Sequence, residues 1–250
     1  MDLSRRTFLL GVPTLAATAL ITPTAAAAPP LQGPHQSPIH IRSRDAVTAR
    51  DLPALEVDYP RHVDLRVRYV RKDESDPAGC SVRGREEVVE AEVPEGAASV
   101  RIGGARYELL QFHFHTPAEH QLDWNRFPIE QHFVHRGPNG ETLVVGLFLA
   151  PGGSGGTVQD AVLGGLPEEC GPEHEGAGDL SAALPRELST YRYEGSLTTA
   201  PYSEPVSWLV LAKRRLVTAT NVSAYRKLFP EGDAREPQPL NGRVVQYRPQ

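Results

Sequence analysis

The chain has one methionine, two tryptophans and two cysteines in 250 residues, and it lacks an apolar run long enough to span a membrane. Its longest apolar stretch, Phe8 to Ile21, contains Pro13 and falls short of the roughly 20 residues that a spanning helix needs. A basic excess is missing as well. Lys+Arg 26 against Asp+Glu 31 gives a formal charge of −5, which argues against nucleic acid or an anionic membrane surface as the main partner. No internal repeat or long linker divides residues 36–247. Long helices also have little support, because 23 Pro and 22 Gly cut the chain into short pieces. Cys80 and Cys170 have no neighbouring cysteine or histidine at ligand spacing, so neither nucleates a thiolate zinc site.

What is present begins with an address. Residues 1–28 carry Arg5-Arg6 ahead of Phe8-Leu9, then the apolar run, then small residues up to Ala28, the three parts of an export signal. The arginine pair resembles the twin-arginine type. The expected organisation is therefore a signal at 1–28, cut near Ala26 to Ala28, and a soluble domain at 29–250. The mature chain would be periplasmic or extracellular, acidic and free of the membrane. In an exported chain an even pair of cysteines is compatible with one disulfide, Cys80 to Cys170, and both lie in segments rich in Gly and Pro.

The composition, 40% hydrophobic and 23% charged, excludes wholesale disorder. Strands are expected at Val63 to Val70, Ser99 to Ile102, Tyr107 to His115, Glu130 to His135, Leu143 to Leu149, Trp208 to Ala212 and Arg243 to Tyr247. Helices are expected at Thr157 to Leu163 and at Val222 to Phe229, the second capped by Asn221 and closed by Pro230. Residues 151–188 look mostly like loop. The expected fold class is mainly β (α+β): a single domain with a central, largely antiparallel twisted sheet of about ten strands and short peripheral helices.

Alternate residues of a strand share a face. On Gln111-Phe-His-Phe-His115, therefore, Gln111, His113 and His115 point one way, and Phe112 and Phe114 point the other. A second strand, Ile129-Glu-Gln-His-Phe-Val-His135, puts Glu130, His132 and Val134 on one face and His135 on the other. If the two strands are neighbours, His132 joins His113 and His115. Three neutral imidazoles leave one vertex of a zinc tetrahedron for water, the arrangement of a reactive site rather than a structural one. Gln111 and Glu130, each two residues before a histidine, supply acceptors that orient ligating rings.

These segments resemble the α-type carbonic anhydrases over almost the whole mature chain. Gln36-Ser-Pro-Ile39, Leu109 to His115, Glu130 to His135, Val144-Val-Gly-Leu-Phe148, Gly195-Ser-Leu-Thr-Thr199, Val206-Ser-Trp208 and Asn241-Gly-Arg243 occur in that family's order. The resemblance implies one zinc ion on His113, His115 and His132, oriented by Gln111 and Glu130. It implies zinc-hydroxide catalysed reversible hydration of carbon dioxide to bicarbonate and a proton. Thr198 would accept a hydrogen bond from the hydroxide and donate its own to Glu119. Val134, Val144, Leu197, Thr199, Val206 and Trp208 would line the substrate pocket. Sulfonamides and anions would inhibit.

Two departures stand out. Fast members of the family relay the proton through a histidine, and here the matching position is Val89 counted without gaps or Arg85 with them, neither of which shuttles protons near pH 7. Slow proton release is therefore expected. Glu86, Glu90 and Glu92 are alternative relay candidates, but they are expected on a solvated strand edge. The cysteines that many bacterial relatives place beside Gln-Ser-Pro and Thr-Thr-Pro are absent, so a Cys80 to Cys170 bridge would replace that link. Of the other histidines, His120 resembles a buried structural one, and His35, His40, His62 and His174 are expected at the surface. Two rival readings stay open. One is a carbonic anhydrase-like scaffold kept for binding without catalysis. The other is a cupin holding iron or manganese, because His113-Phe-His115 followed by Glu119 fits an H-x-H-x3-E pattern.

Overall fold

The computed structural model describes residues 33–71 and 86–250. The expected signal at 1–28, Cys80 and Arg85 lie outside the described residues. Among these, the strands are β1 (His40–Ile41), β2 (Val47–Thr48), β3 (Leu55–Asp58), β4 (Val63–Val70), β5 (Val88–Glu92), β6 (Ser99–Ile102), β7 (Ala105–His115), β8 (Gln121–Leu122), β9 (Ile129–Arg136), β10 (Thr142–Pro151), β11 (His174–Gly178), β12 (Thr190–Gly195), β13 (Val206–Leu211), β14 (Arg215–Val217) and β15 (Gln246–Arg248). Two helices accompany them, α1 (Val158–Gly164) and α2 (Ala219–Leu228). No described helix is long and apolar enough to cross a membrane.

One sheet holds 13 strands, running β11-β4-β5-β7-β9-β10-β13-β12-β15-β2 along its main path, with β3, β6 and β14 off it. Pairing is mostly antiparallel, but β10 runs parallel to both β13 and β14, and β15 runs parallel to β2. The domain is mainly β as expected, with more strands in its sheet than the ten or so read from sequence. The alternation of β4 shows why such segments extend. Val63, Leu65, Val67 and Tyr69 are buried, while Asp64 and Arg66 between them face outward.

Apolar residues from the two faces form separate clusters. Phe112, Phe114, Phe133, Leu109 and Tyr225 belong to the larger one, under the helices. Val144, Phe148, Tyr193, Val206 and Trp208 belong to the smaller one, on the other face. Opposite sides of the same strands feed these clusters. Phe112 and Phe114 fill one core while the histidines of β7 turn to the other side.

Several boundaries differ from the sequence reading. Helix α2 begins at Ala219, three residues before the expected start, because the Thr218 hydroxyl rather than Asn221 accepts from the first turn, at Asn221 N. Asn221 instead donates from Nδ2 to Asp160 Oδ1 at 2.8 Å, joining the two helix starts. Of the expected Arg243 to Tyr247 strand, only Gln246–Arg248 extends. Arg243 sits in a turn with its guanidinium on the carbonyls of Glu194, Gln36 and Pro239. Within residues 151–188 the loop reading misses β11, whose His-Glu-Gly-Ala-Gly composition has little strand propensity and which is held by pairing with β4. Cys170 is disulfide-bonded.

His135 faces the large core, where it is fully buried and its Nε2 lies 2.8 Å from the Tyr59 hydroxyl. Burial pulls its pKa down from 6.5 to about 4. Because the unfolded chain binds this proton and the folded one does not, stability falls as pH drops from about 6.5 towards 4, by up to about 3 kcal/mol. The expected result is that His135→Gln flattens that part of the urea-unfolding pH profile relative to wild type. Parallel profiles for the two proteins would contradict this assignment.

Candidate metal centre

Strands β7 and β9 are antiparallel neighbours with His113 directly opposite His132. That register brings His113, His115 and His132 onto one face. Their ring centroids lie 5.0 Å (113–115), 5.2 Å (113–132) and 4.8 Å (115–132) apart. One nitrogen from each ring lies within 4.8 Å of the others, close enough to hold a single metal ion.

The remaining ring nitrogens show which atoms are free to bind. His113 Nδ1 is 2.8 Å from Gln111 Oε1, which leaves Nε2 for an ion. His132 Nε2 is 3.0 Å from Glu130 Oε1, which leaves Nδ1. Both nitrogens of His115 are buried without a hydrogen-bond partner. Orphaned buried polar atoms are costly, so a ligand between these rings is the simplest account of them. Burial, reinforced at His113 and His115 by the charge of His132, holds all three pKa values below the usual 6.5. Neutral imidazole is the form that binds a metal.

A second cluster, His120, Glu130 and His132, also brings ligand atoms together. It is already satisfied internally. Glu130 accepts from His120 N at 2.7 Å, and its Oε1 lies 2.7 Å from His120 Nδ1. His120 Nε2 continues to the Tyr193 hydroxyl at 2.6 Å, and Tyr193 to Ser37 Oγ at 2.9 Å. Burial works to raise the Glu130 pKa, but the fields of His120 and His132 and their hydrogen bonds outweigh it and hold it well below the carboxylate range. Sequence reasoning saw Glu130 as a partner of His132 alone and missed its second partner, along with Tyr193. The available signal was Ser37, within the Gln36-Ser-Pro motif. Glycine at 195 is required here, since a Cβ would lie 2.1 Å from Ser37 Oγ.

Glu130→Gln removes one acceptor from a group that serves two imidazoles and a backbone amide. Metal affinity is expected to fall about 10- to 100-fold, measured by competition with a chromophoric chelator. Unchanged affinity would show that Glu130 does not orient His132.

Glu119 is buried beside the histidines, with Oε2 3.7 Å from His115 Nε2 and 3.9 Å from His132 Nδ1. Its other oxygen accepts from Arg235 N at 2.8 Å, a contact unforeseen from sequence. Burial pushes Glu119 well above the carboxylate range, opposed by the Arg235 N–H and by the nearby Thr198 hydroxyl, and its Oε2 is buried with no hydrogen-bond partner. Thr198 is itself buried. Beside this pair, Val134, Val144 and Trp208 stand opposite one another on β9, β10 and β13. Val206 lies in the same apolar cluster, and Leu197 packs against it half-buried. Thr199 is half-buried one residue beyond Thr198.

The relay candidates are less favourably placed. Val89 is fully buried in the large core, whereas Glu90 is the β5 residue paired with His113. The glutamates expected at a solvated edge belong to an interior strand or to its approach, since β5 lies between β4 and β7. Glu90 is bound by Arg68 at 2.9 Å and 3.1 Å, and Glu92 lies 3.3 Å from Arg68 and 3.6 Å from Arg66. Glu86 accepts from the Tyr202 hydroxyl. His35, His62 and His174 are exposed, and His40 packs half-buried against Trp124.

Fold and site together define a class: a mainly β domain carrying three converging buried or half-buried imidazoles able to hold a metal. The family model described as eukaryotic-type carbonic anhydrase matches residues 24–249. A carbonic anhydrase of Neisseria gonorrhoeae is 32% identical over 214 residues, 85% of this chain and 77% of the relative. Among solved structures, α-carbonic anhydrase from Thermovibrio ammonificans in complex with the inhibitor sulfanilamide superposes with a TM-score of 0.71 at 33% identity, covering 86% of this chain and 87% of that one. Carbonic anhydrase Cah3 from Chlamydomonas reinhardtii in complex with acetazolamide gives 0.72 at 27% identity, covering 93% and 99%. The chain belongs to the eukaryotic-type, or α, carbonic anhydrase family. Its activity is that of a carbonate dehydratase, a lyase acting on carbon dioxide. Family and fold set the cupin reading aside.

Proposed function

We propose that the chain holds one zinc ion on His113, His115 and His132 and uses it for the reversible hydration of carbon dioxide to bicarbonate and a proton. The observation that carries this reading is the trio of uncommitted, neutral imidazole nitrogens on one sheet face. Zinc on three neutral imidazoles lowers the pKa of its water to about 7, a value known for carbonic anhydrases as a class rather than measured on this chain, and so supplies hydroxide near neutral pH. Gln111 and Glu130 fix the rings by accepting hydrogen bonds on their far sides. In this reading Thr198 donates to the unpartnered Glu119 Oε2, which leaves the threonine oxygen to accept from the attacking nucleophile and to turn the nucleophile's lone pair towards carbon. A nearby dication would favour the ionised Glu119 that this role needs.

Carbon dioxide carries no charge and makes few hydrogen-bonding demands. The wall of Val134, Val144, Leu197, Val206 and Trp208, with Thr199 at its edge, suits it. Proton release is the slow step in this reading, because Val89 faces the core and the β5 carboxylates on the histidine face, Glu90 and Glu92, are held by arginines. Turnover is therefore expected to rise with buffer concentration in stopped-flow hydration assays. Fast turnover that saturates at low buffer would contradict it.

The Arg5-Arg6 signal supports export and a periplasmic or extracellular site of action. The reaction itself is tested by carbon dioxide hydration with chelator and sulfonamide controls. Activity blocked by acetazolamide, lost with the metal and restored by zinc is expected. Stoichiometric zinc without hydration would instead favour the binding scaffold.

A further inference from the structure

On the face of β12 turned away from the histidines lies a buried cation without an anion. Tyr191 and Tyr193 belong to the site-side cluster with Trp208, so Arg192 between them points to the opposite face. It is 8% exposed. Its Nε donates to Thr190 Oγ1 at 2.8 Å, which fixes the plane of the guanidinium, yet its Nη2 is buried with no hydrogen-bond partner. Among the described residues no carboxylate forms an ion pair with it. Burial, reinforced by the charge of Arg248, another cation, lowers its pKa to about 10. Arginine still carries its charge at that value. An unpaired buried charge is expensive and persists in structures where something answers it.

Arg192 lines a groove of about 420 Å³. Leu52, Pro53, Ile102, Leu143 and Leu209 supply an apolar floor and walls. The one carboxylate on the lining, Glu194, accepts from Ser207 Oγ at 2.8 Å and is exposed. Arg248 is engaged with the carbonyls of Leu52 and Pro249, so it contributes field rather than a free donor. Arg243, also on the lining, is likewise spent on carbonyls. The groove thus has one open donor set at one place, beside apolar surface.

We propose that this groove is a binding site for a small organic carboxylate, whose oxygens meet the Arg192 guanidinium and whose apolar body lies along Ile102, Leu143 and Leu209. Arginine's planar donor fork matches a carboxylate in two-point contact, and a dry setting strengthens such pairs. Tyr193 and Trp208 also border the groove, but the side chains that would receive the ligand, Arg192, Leu143 and Leu209, lie on the face of the sheet away from the histidines, so the ligand does not touch the metal site.

The test is titration of the full-length protein with sodium benzoate, followed by backbone amide NMR shifts, with benzamide and inorganic phosphate as comparison probes. Saturable shifts at Arg192, Ser207 and Leu209 are expected with benzoate, and affinities at least tenfold weaker with benzamide and phosphate. Arg192→Gln should weaken benzoate at least tenfold while carbon dioxide hydration is unchanged. Ile102→Trp, which fills the groove and leaves the charge in place, should do the same, and serves if Arg192→Gln fails to fold. His115→Ala should leave the groove shifts intact, so failure of the metal reading is distinguishable from failure of this one. Shifts confined to the neighbourhood of His113, His115 and His132, equal binding of benzoate and benzamide, or full benzoate affinity in both groove variants would overturn the proposal.

Discussion

His115→Ala is expected to abolish stoichiometric zinc and to lower carbon dioxide hydration by more than about a thousand-fold, since the metal would bring the pKa of its water down from far above the physiological range to about 7. His115 is the most diagnostic of the three because neither of its nitrogens has a hydrogen-bond partner. His113 and His132 are each tied to an orienting side chain, so their loss would also disturb Gln111 or Glu130. Removing His115 breaks no internal hydrogen bond. The variant should fold, with circular dichroism matching the metal-free wild type, and should differ from wild type mainly in metal content. Full zinc occupancy in His115→Ala, measured by plasma emission after gel filtration, would contradict the assignment of this ring as a ligand.

Thr198→Val should keep zinc yet lose about 10²-fold in kcat/KM, the scale seen when a single preorganised hydrogen bond at a reacting oxygen is removed. Valine conserves the shape of threonine, so packing is undisturbed and the hydroxyl alone is tested. Glu119 would still accept from Arg235 N. Its link to the nucleophile would be gone. Because Thr198 and Glu119 act as one unit, Glu119→Gln should cost a similar factor, and the double variant little more than either alone. Additive losses in the double variant would contradict a shared role. Loss of zinc in Thr198→Val would assign Thr198 to metal retention instead.

Much of this site is legible in the sequence because strands sort side chains by parity. The segment Gln111 to His115 places its imidazoles on one face and its phenylalanines on the other whatever the sheet around it, and Ile129 to His135 does the same for Glu130 and His132. What parity cannot supply is register. That His113 stands opposite His132 is a property of strand pairing. So is the placement of Glu90 across from His113. Tertiary contacts hide other features. β11 extends although Gly176 and Gly178 disfavour it, because β4 offers an unpaired row of backbone groups. The double engagement of Glu130 depends on His120, ten residues upstream, returning to the same carboxylate. Arg192 lies on β12, a strand absent from the sequence reading, and its burial without a counter-charge is visible only in the folded chain.

The most direct test of the metal assignment is X-ray absorption at the zinc edge on protein loaded with one zinc per chain. Three imidazole nitrogens at roughly 2.0 to 2.1 Å and one light non-imidazole ligand at about 2.0 Å are predicted, with one imidazole lost in His113→Ala. A sulfur shell, four imidazoles, or a spectrum unaltered by that substitution would contradict the three-histidine centre.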